Sequence, residues 1–187
     1  MHYLITGGAG FIGGHLTEAL LASGHRVTVI DNYSTGSPEN LARVADHPGL
    51  TLIEADILDC AETLENCIAA SDVVFHLAAA VGVELVVRDP VRTITTNVHG
   101  TENVLKLTAK YNRRVIVAST SEVYGKSTNP LFSETDDLLI GSPFHSRWSY
   151  ACSKLLDEFY VMAFHRSTGM PGTVVRFFNT VGPRQTG

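Results

Sequence analysis

A glycine-punctuated turn near the amino terminus restricts this chain more than any other feature. The apolar run Tyr3 to Thr6 leads directly into Gly7-Gly8-Ala9-Gly10-Phe11-Ile12-Gly13. Phe11 to Ser23 then carries Ile12, Leu16, Ala19 and Leu20 on one helical face and is stopped by Gly24. The loop satisfies both G-x-G-x-x-G (Gly8, Gly10, Gly13) and G-x-x-G-x-x-G (Gly7, Gly10, Gly13). A second strand, Arg26 to Ile30, ends at Asp31, about twenty residues beyond the loop, the spacing of a dinucleotide-binding βαβ unit. The missing side chains let the backbone turn tightly and approach a pyrophosphate, whose charge meets the free N–H groups of the Phe11 helix. Asp31 is placed to accept hydrogen bonds from the adenosine ribose. A carboxylate there repels a 2′-phosphate, and Asn32-Tyr33-Ser34-Thr35 offers no cation to hold one, so the expected cofactor is NAD rather than NADP.

Further strands are expected at Thr51 to Glu54, Val73 to Leu77, Arg114 to Ala118 and Thr173 to Phe177. Helical patterns run from Glu39 to Ala45, Cys60 to Ala69, Pro90 to Tyr111 and Trp148 to Ser167. Alternating strands and helices predict an α/β fold, a doubly wound parallel sheet of the Rossmann type with helices on both faces. The chain has 187 residues, 44% hydrophobic and 18% charged, and is expected to form one domain over residues 1–187. A net charge of −5, with no basic cluster longer than Arg113-Arg114, argues against a nucleic-acid partner. Cys60, Cys67 and Cys152 form no C-x-x-C pair, so neither a metal site nor a disulfide framework is expected, and reduced thiols imply a cytoplasmic setting. No signal peptide or membrane span is recognisable in the sequence.

Ligands of such sheets bind at the carboxyl ends of the strands. Asp56-Ile57 follows the third strand and Leu77-Ala78-Ala79-Ala80 the fourth; the small alanines either admit flat ring systems or pack helix against sheet. His76 ends a buried strand and reads as a core histidine. The fifth strand opens into Ser119-Thr120-Ser121-Glu122-Val123-Tyr124-Gly125, and the long polar stretch Lys126 to Arg147 is a candidate functional loop. Tyr150 and Lys154 lie four residues apart on one helix, hence on one face. An ammonium beside a tyrosine stabilises its phenolate and makes it a usable base, and Thr120 could hold the hydroxyl whose proton Tyr150 takes.

From the glycine loop through Asp31-Asn32, Asp56-Ile57, His76-Leu77-Ala78-Ala79, Asn97-Val98-His99-Gly100-Thr101, Thr120, Tyr150/Lys154 and Arg176-Phe177-Phe178-Asn179, the whole chain resembles the extended short-chain dehydrogenase/reductases that modify nucleotide sugars. The resemblance implies transient oxidation at sugar C4 with Thr120, Tyr150 and Lys154 as catalytic triad and Asn97 in support. It also implies cofactor contacts from Phe11-Ile12, Asp31 to Gly36, Asp56-Ile57, Leu77 to Val81, Asn97, Lys154 and Phe178, and a substrate contact from Asn179. Ser121 departs from the Thr-Asp-Glu of thymidine-diphosphate-glucose dehydratases. Thr120-Ser121-Glu122 is similar to UDP-glucuronate decarboxylases and to GDP-mannose dehydratases, in which the acid at the position of Glu122 acts near C5. Asp31-Asn32 and Ala80-Val81-Gly82 instead resemble UDP-glucose 4-epimerases. The first reading is therefore a UDP-sugar 4-epimerase, the alternative a UDP-glucuronate decarboxylase, and a reading of another class a non-catalytic NAD-binding sensor or scaffold. The family further implies a homodimer built from the helices Pro90 to Tyr111 and Trp148 to Ser167 as a four-helix contact, and a carboxyl-terminal substrate domain beyond this chain, with the substrate-binding segment starting near residues 179–187.

Overall fold

The computed structural model describes residues 1–185. Six strands, β1 (His2–Thr6), β2 (Arg26–Asp31), β3 (Leu50–Glu54), β4 (Val73–His76), β5 (Arg114–Thr120) and β6 (Gly172–Phe177), form one sheet in the order β3-β2-β1-β4-β5-β6. Every pairing is parallel, with Thr6 opposite both Ile30 and His76, and Thr120 opposite Phe177. The order reverses between β1 and β4, so the crevice at their carboxyl ends is the natural ligand site.

Five α-helices connect the strands: α1 (Phe11–Ala22), α2 (Ala61–Ala70), α3 (Val83–Arg88), α4 (Pro90–Lys110) and α5 (Trp148–Thr168). On one face Leu64 and Ile68 of α2, Val104 and Leu105 of α4 and Val161 of α5 pack with Leu4, Val74, Val115 and Val117 of the sheet. On the other, Leu21 of α1 and Leu41 close over Ile5, Val27 and Val29. Parallel strands are buried on both sides, which is why they read as unbroken apolar runs.

Three details depart from the sequence expectation. The stretch expected as a helix from Glu39 to Ala45 is a 3₁₀ segment, Pro38–Val44, opened by Ser37, whose hydroxyl accepts from the Glu39 N–H. Helix α3 was not anticipated; its six residues follow Gly82 at φ +108 and are too few to show a period. Strand β5 runs two residues further than Ala118, which carries Ser119 and Thr120 to the sheet edge inside the ladder. The substrate-binding segment expected near 179–187 lies within the described residues up to Gln185, and its last two residues lie outside them.

Candidate cofactor-binding and catalytic site

The glycines of the loop have separate tasks. Gly7 sits at φ +74, and a Cβ there would lie 2.6 Å from the Ala78 nitrogen. A Cβ on Gly13 would lie 2.3 Å from the Gly7 oxygen, so this position lets α1 approach the turn. At Gly10 an added Cβ would meet only the Gly7 oxygen, at 3.2 Å. The space beyond Gly10 is therefore open, and α1 starts there with no side-chain cap and no acid in its first turn. Uncapped N–H groups beside this open turn fit a pyrophosphate.

Asp31, only 7% exposed, does two things at once. Its Oδ2 accepts from the Ala9 N–H at 2.8 Å and its Oδ1 from the Tyr33 N–H at 2.9 Å, so it braces the glycine loop from the end of β2. A carboxylate has further lone pairs free for ribose hydroxyls. Next to it Asn32 donates to Asp56 Oδ2 at 2.7 Å, and both residues line a cavity of about 330 Å³ with Ser34, Leu58, Ala80 and Arg92. The cavity opens at the ends of β2, β3 and β4, where an adenosine would sit.

Other expected contacts have different surroundings. Ile57 is buried in the core and a Cβ on Gly100 would meet it at 2.7 Å, so its side chain packs helix α4 and leaves only backbone for a ligand. Ile12 and Leu77 line an apolar cavity over the sheet together with Ile116, Val175 and Phe177. Ala78 and Ala79 are half-buried beside the Gly7 turn. Asn97, fully buried in α4, accepts from the Ala80 N–H at 2.7 Å and donates to Ser153 Oγ at 3.0 Å, and Ser153 donates to the Tyr150 carbonyl at 2.8 Å. It thus ties the loop after β4 to the turn of α5 that carries Tyr150 and Lys154.

His76 is a core residue, as its sequence context suggested. Its Nδ1 pairs with the Thr6 hydroxyl at 2.7 Å and its Nε2 with that of Thr101 at 2.9 Å, and full burial, then the nearby Lys154 charge, pull its pKa down to about 3.

At the end of β5, Thr120 accepts from the Glu122 N–H at 3.2 Å and starts a 3₁₀ turn, Ser121–Tyr124, that leaves the Glu122 side chain exposed. Ser119 donates to Glu158 Oε1 at 2.5 Å; Glu158 in turn receives three hydrogen bonds from Arg176 of β6, from Nε at 2.9 and 3.3 Å and from Nη2 at 2.7 Å. The guanidinium lies 4.8 Å over the Tyr124 ring. Strand β5, helix α5 and strand β6 are thereby fastened at the active edge. Tyr124 stacks on Phe132 with centroids 4.4 Å apart, and Phe178 stands 6.2 Å from both rings. Asn179 follows, exposed. Trp148, two residues before Tyr150, is flanked by Lys126 and Arg147 at 5.9 and 4.7 Å, and Gly141 leaves room for its indole.

Tyr150 itself differs from expectation. Burial, then the Glu122 carboxylate and then Asp157 push its pKa up to about 12. Lys154, expected to lower it, points instead to Asp157, with Nζ 2.7 Å from Oδ2. Spacing on a helix placed tyrosine and lysine on one face but carried no sign of a buried acid competing for the ammonium.

Residues 3–187 match the family model described as the NAD dependent epimerase/dehydratase family. The chain belongs to this family. The family is described as NAD dependent, and the open cradle at Gly10 fits such a cofactor. Over 97% of its length it is 45% identical to a UDP-N-acetyl-alpha-D-glucosaminuronate decarboxylase of Bacillus cytotoxicus, covering 55% of that protein. It is 37% identical over 98% of its length to UDP-glucuronic acid decarboxylase 1 of Arabidopsis thaliana, covering 41% of it. Among solved structures, UDP-glucose 4-epimerase from Thermotoga maritima with UDP-glucose superposes at a TM-score of 0.87 with 36% identity, over all of this chain and 58% of the other. The Thermus thermophilus UDP-glucose 4-epimerase in complex with NAD gives 0.85 with 34% identity over 100% and 58%. The chain thus spans about half the length of these relatives, and the family contains both decarboxylases and 4-epimerases.

Proposed function

We propose that this chain is the cofactor-binding and catalytic part of an enzyme that oxidises a UDP-linked sugar transiently at C4, and that its substrate is a hexuronate which then loses its carboxylate. The observation that carries the reading is the position of Tyr150, largely buried near the strand ends with the Glu122 carboxylate acting on it from the turn after β5 and Lys154 one turn away on α5. Bound NAD supplies the hydride acceptor for C4, returns the hydride later, and brings a positive charge to the site. Tyr150 takes the proton of the C4 hydroxyl, and Thr120 holds that hydroxyl from the end of β5. With a pKa of about 12 the phenol is protonated at neutral pH, so it becomes a base only as the cofactor and the Lys154 ammonium bring positive charge to it. A C4 ketone lies β to a C5 carboxylate, so carbon dioxide leaves with its bonding electrons passing into an enolate. Glu122 is the group on hand to return a proton at C5. Phe178 and Asn179, exposed just after β6, are assigned to the nicotinamide and the sugar nucleotide, and Ser121, next to Glu122, to the substrate.

The identity to two decarboxylases supports this branch. A 4-epimerase is the second reading, supported by Asp31-Asn32 and by the likeness to the two solved epimerases. The test is product mass from UDP-glucuronate, its N-acetylglucosamine counterpart, UDP-glucose and UDP-galactose: loss of carbon dioxide supports decarboxylation, and unchanged mass with inverted C4 supports epimerisation. Tyr150→Phe is expected to cut either turnover by about a hundredfold or more while NAD still binds. NAD binding without turnover of any of these by the full-length protein points to the sensor reading.

The outer sides of α4 and α5 expose Val91, Ile94, Leu156, Phe159 and Met162, a surface suited to a second copy in a four-helix contact. Light scattering on the wild type and on Phe159→Asp tests this: a dimer that the substitution splits supports it, and a wild-type monomer rejects it.

A further inference from the structure

Lys154 and Asp157 form the most deeply buried ion pair among the described residues, with side chains 3% and 0% exposed. The acid's other oxygen, Oδ1, is buried and makes no hydrogen bond of good geometry, with the Thr101 hydroxyl of α4 as the polar group nearest the carboxylate. Lys154 is the only cation paired with this carboxylate among the described residues, and a cation drawn into such a pair is kept from elsewhere. Yet Lys154 is also the residue whose place on α5, one turn beyond Tyr150, suits it to the cofactor.

We propose that Asp157 is a positioning residue: it holds the Lys154 ammonium inside the protein until NAD enters, then releases it and takes a proton from solvent on its carboxylate. The inference rests on the reading that Lys154 holds the cofactor. Only the Lys154–Asp157 hydrogen bond breaks, and the proton gained replaces the positive charge lost. Burial already pushes the Asp157 carboxyl up despite Lys154, and removing the ammonium pushes it further in the same direction, which favours the protonated acid. The surrounding groups cannot take its place. His76 of β4 is held neutral, Tyr150 of α5 is already a protonated phenol that can only release a proton, α4 presents the uncharged Thr101, and Glu158 is committed to Arg176 and Ser119. Glu122, at the end of β5, is exposed to water.

Calorimetric titration of NAD near pH 6.5 in two buffers of different ionisation enthalpy measures the proton exchange. The wild type is expected to take up about half a proton or more per NAD. Asp157→Asn should abolish the uptake and tighten NAD binding about fivefold or more, because Lys154 no longer has to be freed. Lys154→Gln should also abolish the uptake. A merely structural Asp157 would give weaker or unchanged NAD binding in the Asn variant and no uptake in the wild type, and either result overturns the proposal. Uptake that persists in Lys154→Gln assigns the proton to another group and overturns it too. Should Asp157→Asn not fold, the wild type and Lys154→Gln decide the matter between them. A wild type that binds no NAD removes the cofactor reading and this inference with it; NAD binding without uptake removes the inference alone.

Discussion

At the scale of single residues, two neighbouring glycines separate folding from binding. Gly13→Ala forces a methyl into the Gly7 carbonyl and is expected to cost about 3 kcal/mol in urea unfolding, with NAD affinity lost as a consequence. At Gly10→Ala the methyl meets only the Gly7 oxygen, at 3.2 Å, which a small shift relieves, so its unfolding midpoint should fall much less than that of Gly13→Ala while the methyl occupies the pyrophosphate cradle and NAD binding falls by about tenfold or more. A Gly10→Ala protein with undiminished NAD affinity would move the phosphates elsewhere. His76 makes a pH prediction with a definite sign. Its folded pKa of about 3 lies below the ordinary value of 6.5, so the unfolded chain binds the extra proton. The stability it contributes is complete above about pH 6.5 and is lost as pH falls from there toward 3, amounting to about 2 kcal/mol between pH 7 and 5. His76→Gln should flatten that part of the stability profile; an unchanged slope would place the titration in other groups.

At the scale of elements, the fastening of β5, α5 and β6 by Glu158 and Arg176 is the tie that orders the active edge. Both side chains are largely buried, at 11% and 13% exposure, so Arg176→Ala leaves an unpaired carboxylate and should destabilise the fold by about 3 kcal/mol. Hydrogen exchange in that variant is expected to rise first at Ser119 to Tyr124, since Tyr124 loses the guanidinium above its ring. The sequence made the elements themselves readable, because six apolar runs alternate with helical periods and Gly24 marks a stop. It left Pro38–Val44 and Val83–Arg88 unreadable, one a 3₁₀ segment and the other too short for a period. For the candidate site, the positions of Gly10 at the head of α1, Asp31 at the end of β2 and Tyr150 and Lys154 one turn apart on α5 were legible because each depends on local spacing. The contacts of Asn97, Glu158 and Asp157 were not. Asn97 works through residues 17 and 56 positions away, Glu158 through Ser119 and Arg176, and Asp157 through burial that an i, i+3 spacing does not reveal.

At the scale of the whole molecule, a dinucleotide at the point where the sheet order reverses would span its two halves. Asp31 and Asp56 stand on the β1–β3 side, Thr120 and Tyr150 on the β4–β6 side, and the two halves meet along Thr6, His76 and Ala78. A ligand that spans this crevice should stabilise the chain as one cooperative unit: NAD at a hundred times its dissociation constant is expected to add about 2.7 kcal/mol. Thermal unfolding with and without NAD checks this, and a rise confined to one of two transitions would mean that the halves unfold separately.

Trp148 adds a practical consequence. It is the sole tryptophan, its indole sits between Lys126 and Arg147, and Tyr150 follows two residues later. The enclosure draws on both ends of the long loop from residue 126 to 147, so a shift of that loop alters the field and solvent around the indole. The protein therefore carries its own fluorophore beside the reacting edge. Changes in emission wavelength and quenching will follow the loop in real time, without a label and without any chemistry having to occur.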